Sequence, residues 1–208
     1  MVTARQLVWD MDGTLLDSSV AVPAAYVTAI RRLGGPELTP AQVVAGYTVG
    51  PPEALLAHLL GRDLAAGEPE AYYEELSAAR VAAYPGVADV LAALRARGHQ
   101  IAVFTGASTR AARMLLAAAG VAVDLLVGGD EVPRPKPAGD GLLLAARRLG
   151  IAPGDLAYIG DAPVDLRAAA AVGGVSAAAA WGHQYQPAEA ADVTLVAPAE
   201  ALTLLATG

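Results

Sequence analysis

The stretch DMDGTLLDS, from Asp10 to Ser18, places two carboxylates two positions apart, directly after the apolar run Leu7 to Trp9. A short apolar run of this kind predicts a buried strand, so Asp10 and Asp12 should follow the carboxyl end of that strand. In an open α/β sheet, ligands bind in the crevice outside the carboxyl ends of the strands. Two carboxylates there repel each other and attract a hard cation. The alternative is an ordinary Asp-Gly turn in which Asp12 caps the next helix, so the rest of the chain has to decide between the two.

The composition is typical of a globular domain and disfavours several classes of partner. The chain has 208 residues, of which 55% are hydrophobic and 17% charged, enough for one domain with a sizeable insertion. Its formal net charge of −7 argues against nucleic acid or an anionic membrane as a partner, because binding phosphates requires an excess of Lys and Arg. The absence of cysteine excludes disulfides and thiolate metal sites. The sequence shows no signal-peptide core and no apolar run of roughly 18 residues, so we expect a cytoplasmic protein.

Strand-like and helix-like patterns alternate along most of the chain. Apolar runs typical of buried strands lie at residues 7–9, 101–104, 124–127, 157–159 and 193–196. Helical spacing of apolar residues predicts helices over residues 87–97, 108–119 and 142–149, which are followed by Gly98, Gly120 and Gly150. Strands that alternate with helices of this length predict an α/β protein built on a parallel sheet with right-handed crossovers.

The segment from Ser18 to Ala83 interrupts this alternation. It has the apolar spacing of helices but no convincing strand. The turn Tyr84 to Gly86 then marks the return to the sheet, because proline restricts its predecessor to extended conformations and glycine frees the turn. We therefore predict an α/β core domain formed by residues 1–17 and 84–208, with a small helical domain, residues 18–83, inserted into it.

The chain uses lysine once. Of its 14 basic residues, Lys136 is the one lysine, and the others are arginines. It lies in the segment Arg134 to Pro137, which has the composition of a rigid loop after a predicted strand. A single exception to the use of arginine indicates a site where a compact ammonium fits and a planar guanidinium does not, although one occurrence is also compatible with chance.

Polar residues that could bind a ligand follow four of the predicted strands. They are Asp10 and Asp12 after the first, Thr105 and Gly106 after the second, Lys136 after the third, and Asp161 with Asp165 after the fourth. Taken singly, Thr105 could cap the helix over residues 108–119, and Asp161 could cap a helix through residues 166–171. Because parallel strands end at the same edge of a sheet, all of these side chains should meet in one crevice, which favours a binding or catalytic site over four unrelated caps.

On these motifs the chain resembles the haloacid dehalogenase-like superfamily, specifically its phosphatases with a helical cap inserted after the first motif, the phosphoglycolate phosphatase-like subfamily. The resemblance rests on DMDGTLLDS, the Phe104 to Gly106 motif, Lys136 with Pro137, and GDAPVD from Gly160 to Asp165, in the family's order. It covers nearly the full length. It implies a doubly wound parallel sheet of the Rossmannoid type, an inserted α-helical cap domain, and Mg2+-dependent hydrolysis of a small phosphorylated metabolite.

The resemblance also implies catalytic roles. Asp10 would be the nucleophile that forms an aspartyl-phosphate, a recognised kind of covalent intermediate. Asp12 would protonate the leaving alcohol and later deprotonate the attacking water. Thr105 would donate its hydroxyl to the phosphoryl oxygens, and Lys136 would neutralise the charge that builds up during transfer.

Binding residues follow from the same resemblance. Mg2+ suits an all-oxygen site, and its ligands would be Asp10, the backbone carbonyl of Asp12, Asp161 and Asp165. Gly13 and Gly106 would bind the phosphate together with Thr105 and Lys136. Thr48 and Gly50 belong to the loop from Gly46 to Pro52, which resembles a substrate-specificity loop but is equally compatible with a rigid turn.

The organic part of the substrate is less defined by the sequence. A carboxylated substrate would require a cation in the cap, and the candidates are Arg31, Arg32, Arg62 and Arg80, unless they are solvated at the surface. The segment Trp181 to His183 is a candidate for the mouth of the crevice.

Other activities of the superfamily are disfavoured by particular residues. Haloacid dehalogenases lack the second acid, which is present here as Asp12, and phosphonatases need a cap lysine, whereas residues 18–83 contain none. β-Phosphoglucomutase-like enzymes have a hinge histidine where this chain has Val22. Such a phosphotransferase and a non-catalytic phosphate-binding protein of this fold remain the alternatives, and the protein is expected to be a monomer or a homodimer.

Overall fold

The computed structural model describes residues 3–205. Its strands are β1 (Gln6–Trp9), β2 (Leu16–Asp17), β3 (Ala82–Ala83), β4 (Ala102–Phe104), β5 (Leu125–Val127), β6 (Leu156–Gly160), β7 (Val175–Ala179) and β8 (Val193–Leu195). Its α-helices are α1 (Ala21–Arg32), α2 (Pro40–Ala45), α3 (Pro52–Leu60), α4 (Glu70–Ala78), α5 (Val87–Ala96), α6 (Thr109–Ala118), α7 (Asp140–Leu149) and α8 (Pro163–Ala171). None of the helices within these residues is long and apolar enough to cross a membrane.

Six strands form one parallel sheet in the order β5-β4-β1-β6-β7-β8. The chain runs outward from β1 through β4 to β5, returns to β6 on the other side of β1, and continues outward to β7 and β8. The order of the strands therefore reverses beside β1, which confirms the doubly wound α/β sheet. The crevice at such a reversal is the expected ligand site, and β1 ends there.

Burial on both faces explains the apolar runs of the sequence. Leu7 and Trp9 of β1 pack in the layer that contains α5 and α6, whereas Val8 packs in the opposite layer with α7 and α8. All four residues of β1 are buried. A parallel strand covered by helices on both sides has no polar face, so the sequence shows a continuous apolar run rather than alternation.

The helices that flank the sheet lie where their periodicity predicted them. Ser108 is the N-cap of α6 and its Oγ accepts a hydrogen bond from the N–H of Ala111 at 3.2 Å, so the alternative that Thr105 caps this helix is wrong. Ala162 is the N-cap of α8, and the carboxylate of Asp165 accepts its N–H at 3.0 Å. The alternative that Asp161 caps α8 is therefore also wrong, and both residues need another explanation.

Three strands were not predicted. The strand β7 consists of Val175, Ser176 and three alanines, and alanine has too low a β-propensity to signal a strand even though all five residues are buried. The strands β2 and β3 have two residues each, too few for any periodicity, and form a separate antiparallel pair. This pair brings the two ends of the intervening segment together, close to the boundaries predicted for the inserted domain. The division into two domains itself stays a prediction.

The helices α1 to α4 form what we call the helical insertion, residues 21–78. Its buried side chains include Tyr26, Ile30, Leu56 and Tyr72, and they join the hydrophobic cluster on the α5 and α6 side of the sheet. The longest of these helices, α1, packs mainly against α4. The insertion is thus held by apolar contacts to one face of the core.

Candidate active site

The end of β1 places the first pair of acids. The N–H of Asp10 donates to the carbonyl of Ile159 at 2.8 Å, so sheet pairing with β6 holds the backbone of this residue. The chain then turns sharply at Gly13, which has a φ of +83°. A Cβ at this position would also collide with the carboxylate of Asp161. Gly13 is therefore required both by its backbone conformation and by the close approach of the fourth motif.

The lone lysine lies between two carboxylates. Lys136 Nζ donates to Asp10 Oδ1 at 2.7 Å and to Asp165 Oδ1 at 2.6 Å. The side chains of all three residues are at most 10% exposed. Burial alone would lower the pKa of Lys136, but the charges of Asp10 and Asp165 outweigh burial and raise it. The site therefore holds a charged ammonium, and the predicted meeting of the first, third and fourth motifs is observed.

Tyr158 is a site residue that the sequence analysis missed. Its hydroxyl donates to the carbonyl of Phe104 at 2.8 Å and lies 3.3 Å from Lys136 Nζ. It lies 3.4 Å from Asp10 Oδ1. Tyr158 belongs to the apolar run of β6, where an aromatic residue is ordinary, so no pattern in the sequence distinguished it. In the structure, the Tyr158 hydroxyl contacts the ammonium of Lys136 and so helps to position it between the two carboxylates.

Three carboxylates form a candidate metal centre. Oxygen atoms of Asp10, Asp161 and Asp165 lie within 4.8 Å of one another. Asp161 Oδ2 accepts the backbone N–H of Gln184 at 2.8 Å, whereas its Oδ1 is buried without a hydrogen-bond partner in the described part of the chain. Burial raises the pKa of Asp161 to about 7, because the ionised carboxylate is unfavourable in these surroundings without a cation beside it. An unpartnered buried oxygen in an all-carboxylate set fits a hard divalent cation such as Mg2+.

The side chain of Asp12 stands apart from this centre. Its Oδ1 accepts the hydroxyl of Ser18 at 2.5 Å. Burial raises the pKa of Asp12, and the hydrogen bond from Ser18 opposes that shift. The two acids of the first motif therefore have different surroundings: Asp10 faces a lysine and two acids, and Asp12 faces a hydroxyl.

Thr105 and Gly106 lie at the end of β4, which pairs with β1 in the sheet. Thr105 is 1% exposed, and its N–H donates to the carbonyl of Val127 at 3.0 Å. Its Oγ1 accepts the N–H of Ala107 at 3.1 Å, which leaves the hydroxyl hydrogen available as a donor. Thr105 therefore offers a buried hydroxyl donor that lines the same cavity as Asp10 and Asp12, and its role in phosphate binding stays a prediction.

A cavity of about 320 Å³ separates this cluster from the helical insertion. On the core side it is lined by Asp10, Asp12, Thr105, Gly106, Lys136 and Asp165. On the insertion side it is lined by Val22, Tyr26, Tyr47, Thr48, Gly50 and Tyr72, among others. The predicted substrate residues Thr48 and Gly50 thus lie at the cavity, whereas Arg31, Arg32, Arg62 and Arg80 are exposed and do not line it.

The segment Trp181 to His183 closes part of the site, as predicted for the mouth of the crevice. Trp181 Nε1 donates to the carbonyl of Thr14 at 2.9 Å. A Cβ on Gly182 would collide with Asp161, so this loop packs directly on the candidate metal centre. His183 lines the cavity, and its Nδ1 lies 3.3 Å from the hydroxyl of Tyr84.

A second group of contacts joins the insertion to the core near the end of β4. The hydroxyl of Tyr73 donates to Glu53 at 2.6 Å and lies 2.9 Å from the hydroxyl of Ser108. The guanidinium of Arg110 lies 3.8 Å from the centre of the Tyr73 ring and pairs with Glu70. These contacts join α3 and α4 to the N-terminus of α6.

Comparison with known proteins places this site in a family context. The family model for haloacid dehalogenase-like hydrolases matches residues 5–173. The phosphoglycolate phosphatase of Chromobacterium violaceum is 32% identical over 218 residues, which covers 98% of this chain and 97% of the relative. The phosphoglycolate phosphatase of Escherichia coli (strain K12) is 31% identical over 209 residues, 87% of this chain and 83% of the relative.

The fold is shared with solved structures as well. The crystal structure of CbbY from Rhodobacter sphaeroides in complex with phosphate superimposes with a TM-score of 0.81 and 24% sequence identity. The match covers 95% of this chain and 96% of that one. At this level of identity the likeness concerns the fold.

Proposed function

The chain belongs to the haloacid dehalogenase-like hydrolases, and on that premise we propose that it is a Mg2+-dependent phosphatase that hydrolyses a small phosphorylated metabolite through an aspartyl-phosphate intermediate. Relatives named phosphoglycolate phosphatase support phosphatase chemistry. The observation that carries the proposal is the contact of Lys136 Nζ with Asp10 Oδ1 at 2.7 Å, in a cavity that Asp10, Lys136 and Thr105 all line. A carboxylate can act as the nucleophile in phosphoryl transfer, and an ammonium and a hydroxyl donor can stabilise the charge on the transferred group.

In the first step, an oxygen of Asp10 attacks the phosphorus, and the bond between phosphorus and the leaving oxygen breaks. Burial raises the pKa of Asp10, and the ammonium of Lys136 opposes this shift; the same ammonium would neutralise charge on the phosphoryl oxygens. Thr105 donates its hydroxyl to one of those oxygens. Positioning and charge stabilisation of this kind dominate the catalysis of phosphoryl transfer.

Asp12 carries the proton in both steps. Its raised pKa, caused by burial, favours the protonated form that is needed to protonate the leaving alcohol. The resulting carboxylate then accepts a proton from water, whose oxygen attacks the phosphorus and releases inorganic phosphate and Asp10. The hydrogen bond from Ser18 holds Asp12 in place for both transfers.

The candidate metal centre completes the site. Asp10, Asp161 and Asp165 would hold Mg2+, with the backbone carbonyl of Asp12 as the further ligand that the family resemblance implies. When bound, the ion supplies Lewis-acid stabilisation of charge on the phosphoryl group. The unpartnered Oδ1 of Asp161 supports this assignment, because a buried carboxylate oxygen otherwise lacks any favourable contact.

The proposal is tested by hydrolysis of p-nitrophenyl phosphate with Mg2+ and with a chelator, for the wild-type protein and for Asp10→Asn. We expect activity that depends on Mg2+ and a loss of at least ~1,000-fold in the variant, since removing a nucleophile has effects of this size or larger. Equal rates for the two proteins would eliminate Asp10 as the nucleophile. Absence of phosphate release from any ester in the presence of Mg2+ would favour a non-catalytic phosphate-binding protein.

A further inference from the structure

The insertion side of the cavity is electrically neutral. Among the described residues 18–83 that line the cavity, none is acidic or basic. The wall consists of aliphatic side chains, tyrosines, hydroxyl-bearing side chains, glycine and prolines. The charges of the site are therefore confined to the core side, next to the reacting phosphorus.

Tyrosines form the centre of this wall. The rings of Tyr26 and Tyr72 stack with their centroids 4.2 Å apart, and the ring of Tyr47 lies 6.5 Å from that of Tyr26. Burial raises the pKa of all three phenols, so they are neutral. Tyr47 and Tyr72 line the same cavity as Asp12, the acid that would protonate the leaving group in the proposed mechanism.

The four arginines of residues 18–83 do not line the cavity, and two of them are paired with acids. Arg32 pairs with Glu74 and Glu75, and Arg62 pairs with Glu68, all outside the cavity. Among the described residues that line the cavity, Lys136 is the one lysine or arginine, and it already contacts two carboxylates.

A second anionic group on a substrate would find no counter-charge on this wall. A carboxylate moved from water into such surroundings loses hydration without gaining an ion pair, so its transfer is unfavourable. An aromatic or aliphatic group would instead bury apolar surface against Tyr47 and the aliphatic side chains of the wall.

We propose that the substrate is a phosphate monoester whose organic part is uncharged and presents an apolar face to the neutral wall at Val22, Val44 and Tyr47. The cavity of about 320 Å³ lies at the lower end of the range of small-molecule sites, which limits the organic part to a small group. This inference rests on the proposed phosphatase function. It implies that a carboxylated ester such as phosphoglycolate is a poor substrate for this chain, although relatives of the chain are named for that activity.

The charge of the organic part is tested with a matched pair of esters, 4-carbamoylbenzyl phosphate and 4-carboxybenzyl phosphate. They share the ring, the leaving oxygen and nearly the same shape, and differ in one negative charge. For the wild-type protein with Mg2+, we expect kcat/KM to be at least ~10-fold higher for the amide, the size of discrimination typical of an unpaired group in a binding pocket. The value of kcat/KM should likewise be higher for benzyl phosphate than for phosphoglycolate.

Two variants then each add one positive charge, the first at the cavity and the second away from it. Val44 lines the cavity and is 38% exposed, so Val44→Arg should add a cation to the neutral wall without burying its stem. Leu143 of α7 is 37% exposed and is not among the lining residues, so Leu143→Arg adds the same charge away from the cavity. We expect Val44→Arg to shift the amide-to-carboxylate ratio by ~10-fold toward the carboxylate, and Leu143→Arg to leave the ratio at its wild-type value.

Two patterns of result would overturn the inference in distinguishable ways. Preference for the carboxylated ester, or for phosphoglycolate over benzyl phosphate, would refute the neutral-substrate inference while leaving the phosphatase proposal intact. If the protein hydrolyses none of the esters, p-nitrophenyl phosphate included, both the phosphatase proposal and the inference are overturned.

Discussion

The core side and the insertion side of the cavity differ in almost every physical respect. The core side holds buried charges in contact, with Lys136 between Asp10 and Asp165 and an unpartnered oxygen on Asp161. The insertion side holds neutral tyrosines packed ring against ring. Buried charges are costly unless each is paired or used, whereas an apolar wall is stable by itself. Under the proposed function, the core side would carry out the chemistry and the insertion side would select the leaving group.

The largest effect should come from the proton-carrying acid of the core. Asp12→Asn keeps the size of the side chain and its contact with Ser18 but removes the transferable proton. We expect kcat to fall by ~100- to 10,000-fold, the range for loss of a general acid–base group. The fall in kcat/KM, which reports the first step and not the hydrolysis of the shared intermediate, should be smaller for p-nitrophenyl phosphate, whose leaving group needs no proton, than for an alkyl ester. An equal loss of kcat/KM for both esters would contradict the role of Asp12 as the acid of the first step.

Replacement of the lone lysine should be nearly as severe although the charge is retained. Lys136→Arg places a planar guanidinium in a 10% exposed position between two carboxylates that contact a compact ammonium. We expect a loss of ~100-fold in kcat/KM with a folded protein by circular dichroism. The control is Arg134→Lys in the same loop, where the side chain is 73% exposed, and wild-type activity is expected there. A fully active Lys136→Arg would show that any cation suffices.

Tyr158→Phe removes the hydroxyl that contacts Lys136 Nζ and should have an intermediate effect on activity. Because Tyr158 positions Lys136 without reaching the cavity wall, we expect kcat to fall by ~10-fold while KM stays near its wild-type value. Tyr185→Phe serves as the matched control, since the hydroxyl of Tyr185 makes no hydrogen bond to the described residues. A rise in KM with unchanged kcat would instead place Tyr158 in substrate binding.

The smallest effect is expected where the two regions are joined. Tyr73→Phe removes the hydrogen bonds to Glu53 and Ser108 that tie α3 and α4 to the start of α6. We expect the free energy of unfolding to fall by about 1 kcal/mol, measured by urea denaturation, because each such bond contributes little net stability. KM for a ring-bearing ester should rise by ~3-fold, since the insertion is less firmly held over the cavity. A fall in kcat as large as that expected for Tyr158→Phe would contradict the claim that the insertion takes no part in the chemistry.

The core was more predictable from the sequence than the insertion, for physical reasons. Strands buried on both faces produce the continuous apolar run before Asp10, and the polar residues after each strand converge because parallel strands share an edge. The weak point was β7, where alanines are buried by tertiary contacts that leave no signal of strand propensity. The roles of the site residues remain predictions, because the structure gives their positions and not their reactions.

Other parts of the site left no signal in the sequence at all. The N–H of Gln184 on Asp161 is a backbone contact, which any residue type could make. Tyr158 lies within an apolar run, and its neighbours come from three different strand ends. Tyr26 was visible only as an apolar position on a helix, since helical spacing shows that a face is buried but not that it lines a cavity.

The covalent intermediate on Asp10 tests the account most directly. The protein is mixed with p-nitrophenyl phosphate and Mg2+, quenched in acid within the first turnover, and treated with borohydride, which reduces an acyl phosphate of aspartate to homoserine. We predict homoserine at position 10 in peptide mass spectra of the wild-type protein, and none without substrate or in Asp10→Asn. An unmodified Asp10 in protein that releases inorganic phosphate at its full rate would contradict the account.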